Sequence, residues 1–325
     1  MRAFEYANPS TKAEAVALLE GGDAQPLAGG TDLISLMKDN VVAPSRLVNL
    51  KSIEELQGLG WEDGGGLRIG AVATLDELVA DEQVRERFPS LVQAVDGIRS
   101  PQLRTMGTVG GELLQRPRCW YYRGGFGLLA LRDGSSMIPE GDNRYHAVLG
   151  NDSGAYFVNP SSLAPPLISL GATVRIIGPD GEREIPLADL YRTPASEAER
   201  EVALEWNELL TDILVPDSGT QNATYEVRQK ESLDWPLAAA SVALEMDGDV
   251  IRSASVVLGH VAPTPFVAVA AQAALEGQSL DAETAQRAGS AAVEGARALS
   301  QNGYKIQLAM VATKRAILRA GGVEV

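Results

Sequence analysis

The 325-residue chain has one cysteine, two histidines and only 5% aromatic residues. A single cysteine excludes an internal disulfide framework and any all-cysteine metal site built from this chain alone. Cations are scarce too. The 28 Lys and Arg stand against 43 Asp and Glu, for a net charge of −15. A phosphate backbone is bound through excess Lys and Arg, so nucleic acid is not the expected partner. No apolar run approaches the roughly 20 residues of a membrane span. The opening "MRAFEYANPSTKAEAVALLEGG" lacks the apolar core of a secretory signal. The expected location is cytoplasmic, or periplasmic only if a partner subunit carries an export signal. What remains is ordinary for a globular protein, with 45% hydrophobic and 22% charged residues, and the length allows two or three domains with separate cores.

Residues 1–58 read as a small α/β unit with parallel pairing. In it "FEYANPSTKAEAVALLEGG" is a strand, a turn capped by Ser10 or Thr11, and a helix stopped by Gly21 and Gly22. "AQPLAGGTDLISLMKDN" follows as strand, glycine turn and helix, and "PSRLVNL" as strand. Residues 59–216 begin with a strand and helices, Thr74 capping. An aperiodic stretch at 124–155, rich in Gly, Asp, Asn and Ser, reads as an ordered excursion rather than a core element. A hairpin turned at "GPDG" and the strand "ELLTDILVP" close this region. Residues 217–325 read as an antiparallel sheet with a hairpin at "MDGD". Helices are expected near 265–276 and 281–300, and a last one in "NGYKIQLAMVATKRAILRAGG". The whole is an α+β chain.

Two glycine turns carry the chemistry. "LAGGTDL" at 27–33 follows a strand and opens a helix. Gly29 and Gly30 allow backbone N–H groups to approach a ligand with no Cβ in the way, the helix start favours an anion, and Thr31 adds a hydroxyl. It is neither a Walker loop nor a GxGxxG fingerprint. "MGTVGGELL" at 106–114 repeats the arrangement around Thr108, Gly110 and Gly111. Together the turns can clamp the two phosphates of a dinucleotide. Each also has a plain reading, a strand-to-helix turn that needs glycine in the first case and a bulge between core strands in the second.

"PLAGGTDLISLMK", "IRSPQLRTMGTVGGELL", "NPSSLAPPLISLGATVRI", "VRQKESLDWPLAAASVAL", "GHVAPTPFVA" and "NGYKIQLA", in that order, resemble the FAD-binding medium subunit of the molybdenum hydroxylases, the xanthine dehydrogenase and aldehyde oxidoreductase family. The resemblance covers nearly the whole chain. It implies a two-lobed FAD-binding domain of the vanillyl-alcohol-oxidase/PCMH type, then a C-terminal domain like that of CO dehydrogenase flavoproteins. It places the FAD diphosphate on Leu27, Ala28, Gly29, Gly30, Thr31 and Asp32 of one loop and on Thr108, Gly110 and Gly111 of the other. Ser161, Ser162 and Leu163 form a third contact segment, and Lys230 lies near the cofactor. The implied partners are a large molybdopterin-binding subunit and a small subunit with two 2Fe–2S clusters, in a heterotrimer that can pair into a dimer. Electrons would run from those clusters through FAD to an external acceptor. No side chain is implied as a catalytic acid or base, because the flavin carries the redox chemistry. Two positions depart from the pattern. Glu112 stands where the family often has Asn, and Ser162 where its "PSDLA" segment has Asp. Rival expectations are a structural subunit that has lost its cofactor and a stand-alone FAD oxidase.

"LLQRPRCWYYR" and "GDNRYHAVLG" resemble a subgroup whose long loop, 112–155 here, holds a 4Fe–4S cluster on four cysteines. Cys119 matches the first ligand; Leu128, Met137 and Ala155 fall where the others would be. Leu and Ala cannot ligate iron and a thioether is a poor substitute for thiolate. The resemblance therefore implies a loop kept without its metal, Cys119 packed as a thiol, and an apolar cluster around Leu128 and Ala155, with Met137 and Cys119 as candidate members. Arg116, Arg118 and Arg123 are expected to pair with acids inside the loop or on a partner. Trp120, Tyr121 and Tyr122 are expected to pack the loop onto its core. His146 and His260 read as hydrogen-bonded structure rather than metal ligands.

Overall fold

Strands Glu5–Ala7, Ala24–Leu27 and Arg46–Asn49 make a three-stranded sheet with Arg46–Asn49 at its centre, parallel throughout. The computed structural model describes residues 1–217, 219–230 and 233–323. Thr11 caps the helix Lys12–Leu19, its hydroxyl accepting from Glu14 N at 3.2 Å. That helix buries Ala15, Val16 and Leu19 against Val48, Leu50, Ile53 and Leu56, so one face of a short helix supplies much of the core of the first lobe.

A second sheet of five antiparallel strands has the order Leu59–Trp61, Leu67–Gly70, Leu209–Val215, Thr173–Gly178, Gly181–Pro186. The late strand Leu209–Val215 sits at its centre, which ties the end of this region to its beginning. The helix Leu75–Ala80 starts with a complete capping box between Thr74 and Glu77. With Glu82–Arg87 and Pro89–Gly97 it packs Leu78, Val84, Phe88, Leu91 and Val95 onto Leu67, Ile69, Val174 and Ile213.

The third sheet orders Gln221–Val227, Ala238–Asp247, Val250–Gly259 and Phe266–Val267, all antiparallel. Helices Val269–Leu275, Ala282–Ala291 and Tyr304–Ala320 back it. Its core is rich in alanine: Ala240, Ala271, Ala285, Ala288, Ala309 and Ala312 are fully buried. The first two helices are shorter than the alanine pattern predicts. Phe266–Val267 joins the sheet edge by pairing with Val257 and Leu258, and Gly295, at φ +76°, turns the chain beyond the second helix.

The excursion at 124–155 differs from expectation. Its own pairing is limited to Leu131–Arg132 with Ser135–Ser136, yet Val148 and Leu149 belong to the C-terminal core. Three buried asparagines staple it there. Asn143 Nδ2 donates to Ser300 Oγ at 2.9 Å and its Oδ1 accepts from Gln301 N at 2.9 Å. Asn151 Nδ2 donates to Arg297 O, and Asn302 Nδ2 to His146 O and Ala147 O. These polar staples have no hydrophobic period and so leave no trace in a periodicity reading.

Candidate functional site

Two clefts meet at the glycine turns. One, of about 810 Å³, lies where Leu75, Ile98 and Leu103 face Arg228, Leu233, Trp235 and Pro236. The other, of about 1140 Å³, lies between residues 25–33 of the first lobe and Ala71, Val72, Leu204, Trp206, Leu209 and Leu210 of the second. Thr31, Asp32, Thr108, Gly111 and Gln115 line both, so a ligand crossing from one to the other passes over both turns. Leu27, Ala28, Gly29, Gly30 and Gly110 line the second cleft alone, and Ser162 the first. Ser161 and Leu163 are buried behind Ser162. Lys230 is exposed and lines neither cleft.

The turns are not equivalent. The N–H groups of Gly29, Gly30, Thr31 and Asp32 make no hydrogen bond within the described residues. Four consecutive unpaired donors call for water or an anionic ligand. In the second turn the amides are already engaged: Val109 N donates to Ala73 O, Gly110 N to Ala71 O, and Gly111 N to Thr108 Oγ1. The first turn offers the cradle, and the second offers shape and the Thr108 side of the channel.

The glycines also have a different reason from the expected one. A Cβ on Gly29 would lie inside the Met106 carbonyl, so this glycine lets the two turns touch. Gly30 has φ +72°, and its Cβ would meet Ile34 Cγ1 at 3.1 Å and Leu27 Cδ1 at 3.3 Å, facing the lobe interior rather than the cleft. Gly110 packs on Ala71, with its Cβ only 2.8 Å from Ala71 O. We therefore expect Gly29→Ala to push the turns apart, costing about 1–3 kcal/mol of stability by overpacking and lowering flavin occupancy. Urea unfolding and flavin-to-protein absorbance check both. Unchanged values in both measurements would refute the contact.

The loop arginines find acids outside the loop, contrary to expectation. Asp32 of the first turn accepts from Arg118 Nη1 at 3.0 Å, Arg123 Nη2 at 2.7 Å and the Arg116 backbone N at 2.8 Å. Arg116 pairs with buried Glu201. Arg118 also stacks over Trp235 at 4.4 Å. Burial pushes its guanidinium down to about 10, against the Asp32 charge. Its Nε, like those of Arg228 and Arg200, is buried without an acceptor among the described residues. All three arginines line the clefts. Acids line the same clefts in equal number, so what suits a diphosphate there is the set of unfilled donors rather than an excess of positive charge. Sequence reading missed Arg118 and Arg200 as site residues. It also missed Lys51, whose Nζ donates to Ala28 O at 3.0 Å. The signal for Arg118 was present, since a basic run in an acidic chain needs a local partner.

Cys119 faces a third cavity of about 880 Å³, shared with Trp120, His146, Phe157, Trp235, His260 and Lys305. Its Sγ lies 3.2 Å from His146 Nε2. Burial raises the thiol and lowers His146 to about 4, so the pair is neutral. The loop's apolar cluster comprises Leu128, Leu129, Ala155, Tyr122, Phe157 and Leu36, with Cys119 at its edge. Met137 lies outside it, half-buried. Of the three aromatics, Tyr122 packs in this cluster as expected, whereas Trp120 is 37% exposed and sits edge-on to Tyr145 and His146 of the loop itself. Lys305, buried and pushed down to about 7 by burial, donates to three carbonyls: Tyr145 O, His146 O and His260 O. No group of three His, Cys, Asp or Glu among the described residues is placed to hold a metal.

Buried titratable groups set an expected pH profile. Burial raises Glu112 and Glu226 to about 7 from an ordinary 4.5. Stability from these two is full below 4.5 and is lost as pH rises through 7. Burial lowers His146 to about 4 and His260 to about 3 from 6.5. Stability from the histidines is full above 6.5 and is lost as pH falls toward those values. The two slopes oppose between 4.5 and 6.5. The urea midpoint of the flavin-free chain should be nearly flat there and fall steeply below. A steep change inside the window would contradict these environments.

This arrangement, two lobes sharing a cleft over paired glycine turns and a helix-backed antiparallel sheet closing one end, is that of an FAD-binding domain with its C-terminal partner. Residues 2–218 match the family model for the FAD binding domain in molybdopterin dehydrogenase, and residues 223–320 that for the CO dehydrogenase flavoprotein C-terminal domain. The chain belongs to the FAD-binding medium subunits of the molybdenum hydroxylases and is an oxidoreductase component. It is 33% identical over 322 residues to the aldehyde oxidoreductase FAD-binding subunit PaoB of Escherichia coli K12, covering 95% of each chain. It is 32% identical to the carbon monoxide dehydrogenase medium chain of Afipia carboxidovorans, covering 98% of this chain and 96% of that one. Among solved structures, the carbon monoxide dehydrogenase of Hydrogenophaga pseudoflava lacking the Mo-pyranopterin moiety superposes with a TM-score of 0.78. That match has 29% identity and covers 99% of this chain and 98% of that one. No helix among the described residues is long and apolar enough to cross a membrane.

Proposed function

We propose that this chain is the electron-transfer subunit of a heterotrimeric molybdenum hydroxylase, with lobes 1–58 and 59–216 and a C-terminal domain 217–325. It takes electrons from 2Fe–2S clusters on a small partner, fed by a molybdopterin-binding large partner, and passes them to an external acceptor. When bound, FAD supplies the redox chemistry; the chain supplies binding, orientation and shielding. The observation that carries the reading is the row of unpaired N–H groups at Gly29–Asp32, at the junction of the two clefts. These donors hold a diphosphate, with Thr31, Thr108 and the cleft arginines beside it. Leu75, Ile98, Leu103 and Trp235 offer an apolar bed for a flat ring in the cleft bordering the third sheet. Leu27, Leu50 and Leu209 line the other cleft for the adenosine end. No protein acid or base takes part in the electron path. The complex is proposed to be cytoplasmic, to pair as a dimer of heterotrimers, and to leave this chain without a 4Fe–4S cluster.

Co-purification with cofactor analysis tests this. The complex should contain FAD on this chain, with molybdenum and iron on two partners, and the single chain should oxidise no substrate. A colourless chain in an otherwise active complex would mean a structural subunit. Turnover by the single chain without molybdenum or iron would mean a stand-alone oxidase.

A further inference from the structure

Glu112 is the one acidic residue on the second glycine turn, and it lines the cleft beside the third sheet. Oε1 accepts from Ser162 N at 2.7 Å and from Gln115 Nε2 at 3.0 Å. Oε2 accepts from Ser161 Oγ at 2.6 Å and from Leu163 N at 3.2 Å. Four donors therefore converge on two carboxyl oxygens, which offer about four acceptor sites when ionised. The residue is 8% exposed. The four donors come from two stretches of chain, one at Gln115 and one about 50 positions further on. Ser161 Oγ in turn accepts from Ala164 N at 2.9 Å, fixing the start of the helix Ala164–Ser169. Behind the turn, Tyr191 OH donates to Leu113 O at 3.2 Å.

The location gives this clasp its meaning. Thr108 and Gly111 form one side of the cleft beside the third sheet, and Pro160 and Ser162 another. Glu112 is the side chain whose hydrogen bonds join those two sides. Resting on the FAD reading above, we propose that Glu112 is a positioning residue. It sets the spacing between the second glycine turn and the 160–163 segment, so that both present to the flavin nucleotide at once. Four donors fix its orientation, and burial raises its carboxyl to about 7, so near neutrality it turns only part of a negative charge toward a diphosphate. The acid could serve equally well from the other side. An aspartate at 162 facing an amide at 112 would connect the same two segments with the carboxylate and its partner exchanged.

The exchange provides the test. Flavin is removed from the purified complex, which is then titrated with FAD while the visible circular dichroism of the bound flavin is recorded. Glu112→Ala should weaken FAD binding at least about tenfold, equivalent to 1.4 kcal/mol, and alter the dichroism. Ser162→Asp alone should also weaken binding, because it sets a second carboxylate against Glu112. The double variant Glu112→Asn with Ser162→Asp should bind more tightly than either and restore the wild-type dichroism. A residue that merely stabilised the fold would show no such recovery of the flavin signal. Equal FAD affinity and unchanged dichroism in Glu112→Ala would overturn the proposal, as would a double variant no better than its parents. If Glu112→Ala does not assemble, Ser161→Ala removes one donor only, and unchanged affinity and dichroism there overturn it as well. A wild-type complex that binds no FAD sinks the FAD reading itself, a separate outcome.

Discussion

Asp32→Ala should cost on the order of 3 kcal/mol of stability, the lower end for breaking a buried ion pair, and should release most of the flavin. Asp32 is the meeting point of three donors from one distant segment. Its side chain is 15% exposed, as is that of Arg123, so solvent screening is partial and the figure belongs at the low end. Without the carboxylate, Arg118 and Arg123 are left as neighbouring like charges, and Arg118 already carries a buried Nε with no acceptor among the described residues. The turn that holds the four free N–H groups loses its link to the loop, so damage to stability and to flavin binding should appear together. Urea unfolding, with flavin absorbance read in parallel, checks this. A loss below about 1 kcal/mol, the range of an exposed pair, with flavin retained, would show that the arginines are held by something else. Adding Arg118→Ala and Arg123→Ala to Asp32→Ala should recover part of the stability, because the unpaired charges go with their partner.

The second large effect is an absence. This subunit, separated from its partners and reduced, should contain no stoichiometric iron and give no cubane signal in low-temperature EPR. A 4Fe–4S centre normally needs four protein ligands, usually thiolates, and the chain has one cysteine. That cysteine faces His146 and the edge of an apolar cluster. Leu128 and Ala155 are packed inside the cluster with Leu36 and Phe157, while Met137 lies apart from it. Converting Leu128, Met137 and Ala155 to cysteine should therefore not build a site. Two of the new thiols would replace close-packed carbon, and the third would stand outside the group. Stoichiometric iron in the native subunit, or in the triple variant, would show that the loop is preorganised for metal after all.

Much of the fold was legible locally. The hairpin turns fall at Gly178–Gly181 and Gly248, and the parallel pairing of the first lobe matches its strand–helix–strand alternation. Those features depend on turn chemistry and short periods, which neighbouring residues set. The excursion was harder to read. Its staples are asparagine amides reaching residues about 150 positions away, and a polar residue's partner cannot be found from its own neighbourhood. The same holds for the site. Both glycine turns stood out in the sequence, but the difference between them, one with free amides and one with its amides engaged, depends on Ala71 and Ala73 lying beside the second turn.

By itself the sequence determined what chemistry was available. One cysteine ruled out a chain-borne cluster of thiolates, the acidic balance argued against a nucleic-acid partner, and two glycine turns of similar form allowed a dinucleotide that the family resemblance then made specific. These follow from residue counts and local conformational freedom, which folding does not change. Only the tertiary structure decided how charge is distributed over that chemistry. Asp32 and Glu112 look alike in sequence, as acids placed beside a diphosphate. In the fold each is filled by donors from a remote segment, arginines for one and backbone amides with a serine hydroxyl for the other. A carboxylate is tolerated beside a phosphate when paired cations offset its charge or burial raises its pKa, and long-range packing alone brings the arginines to Asp32 and buries Glu112.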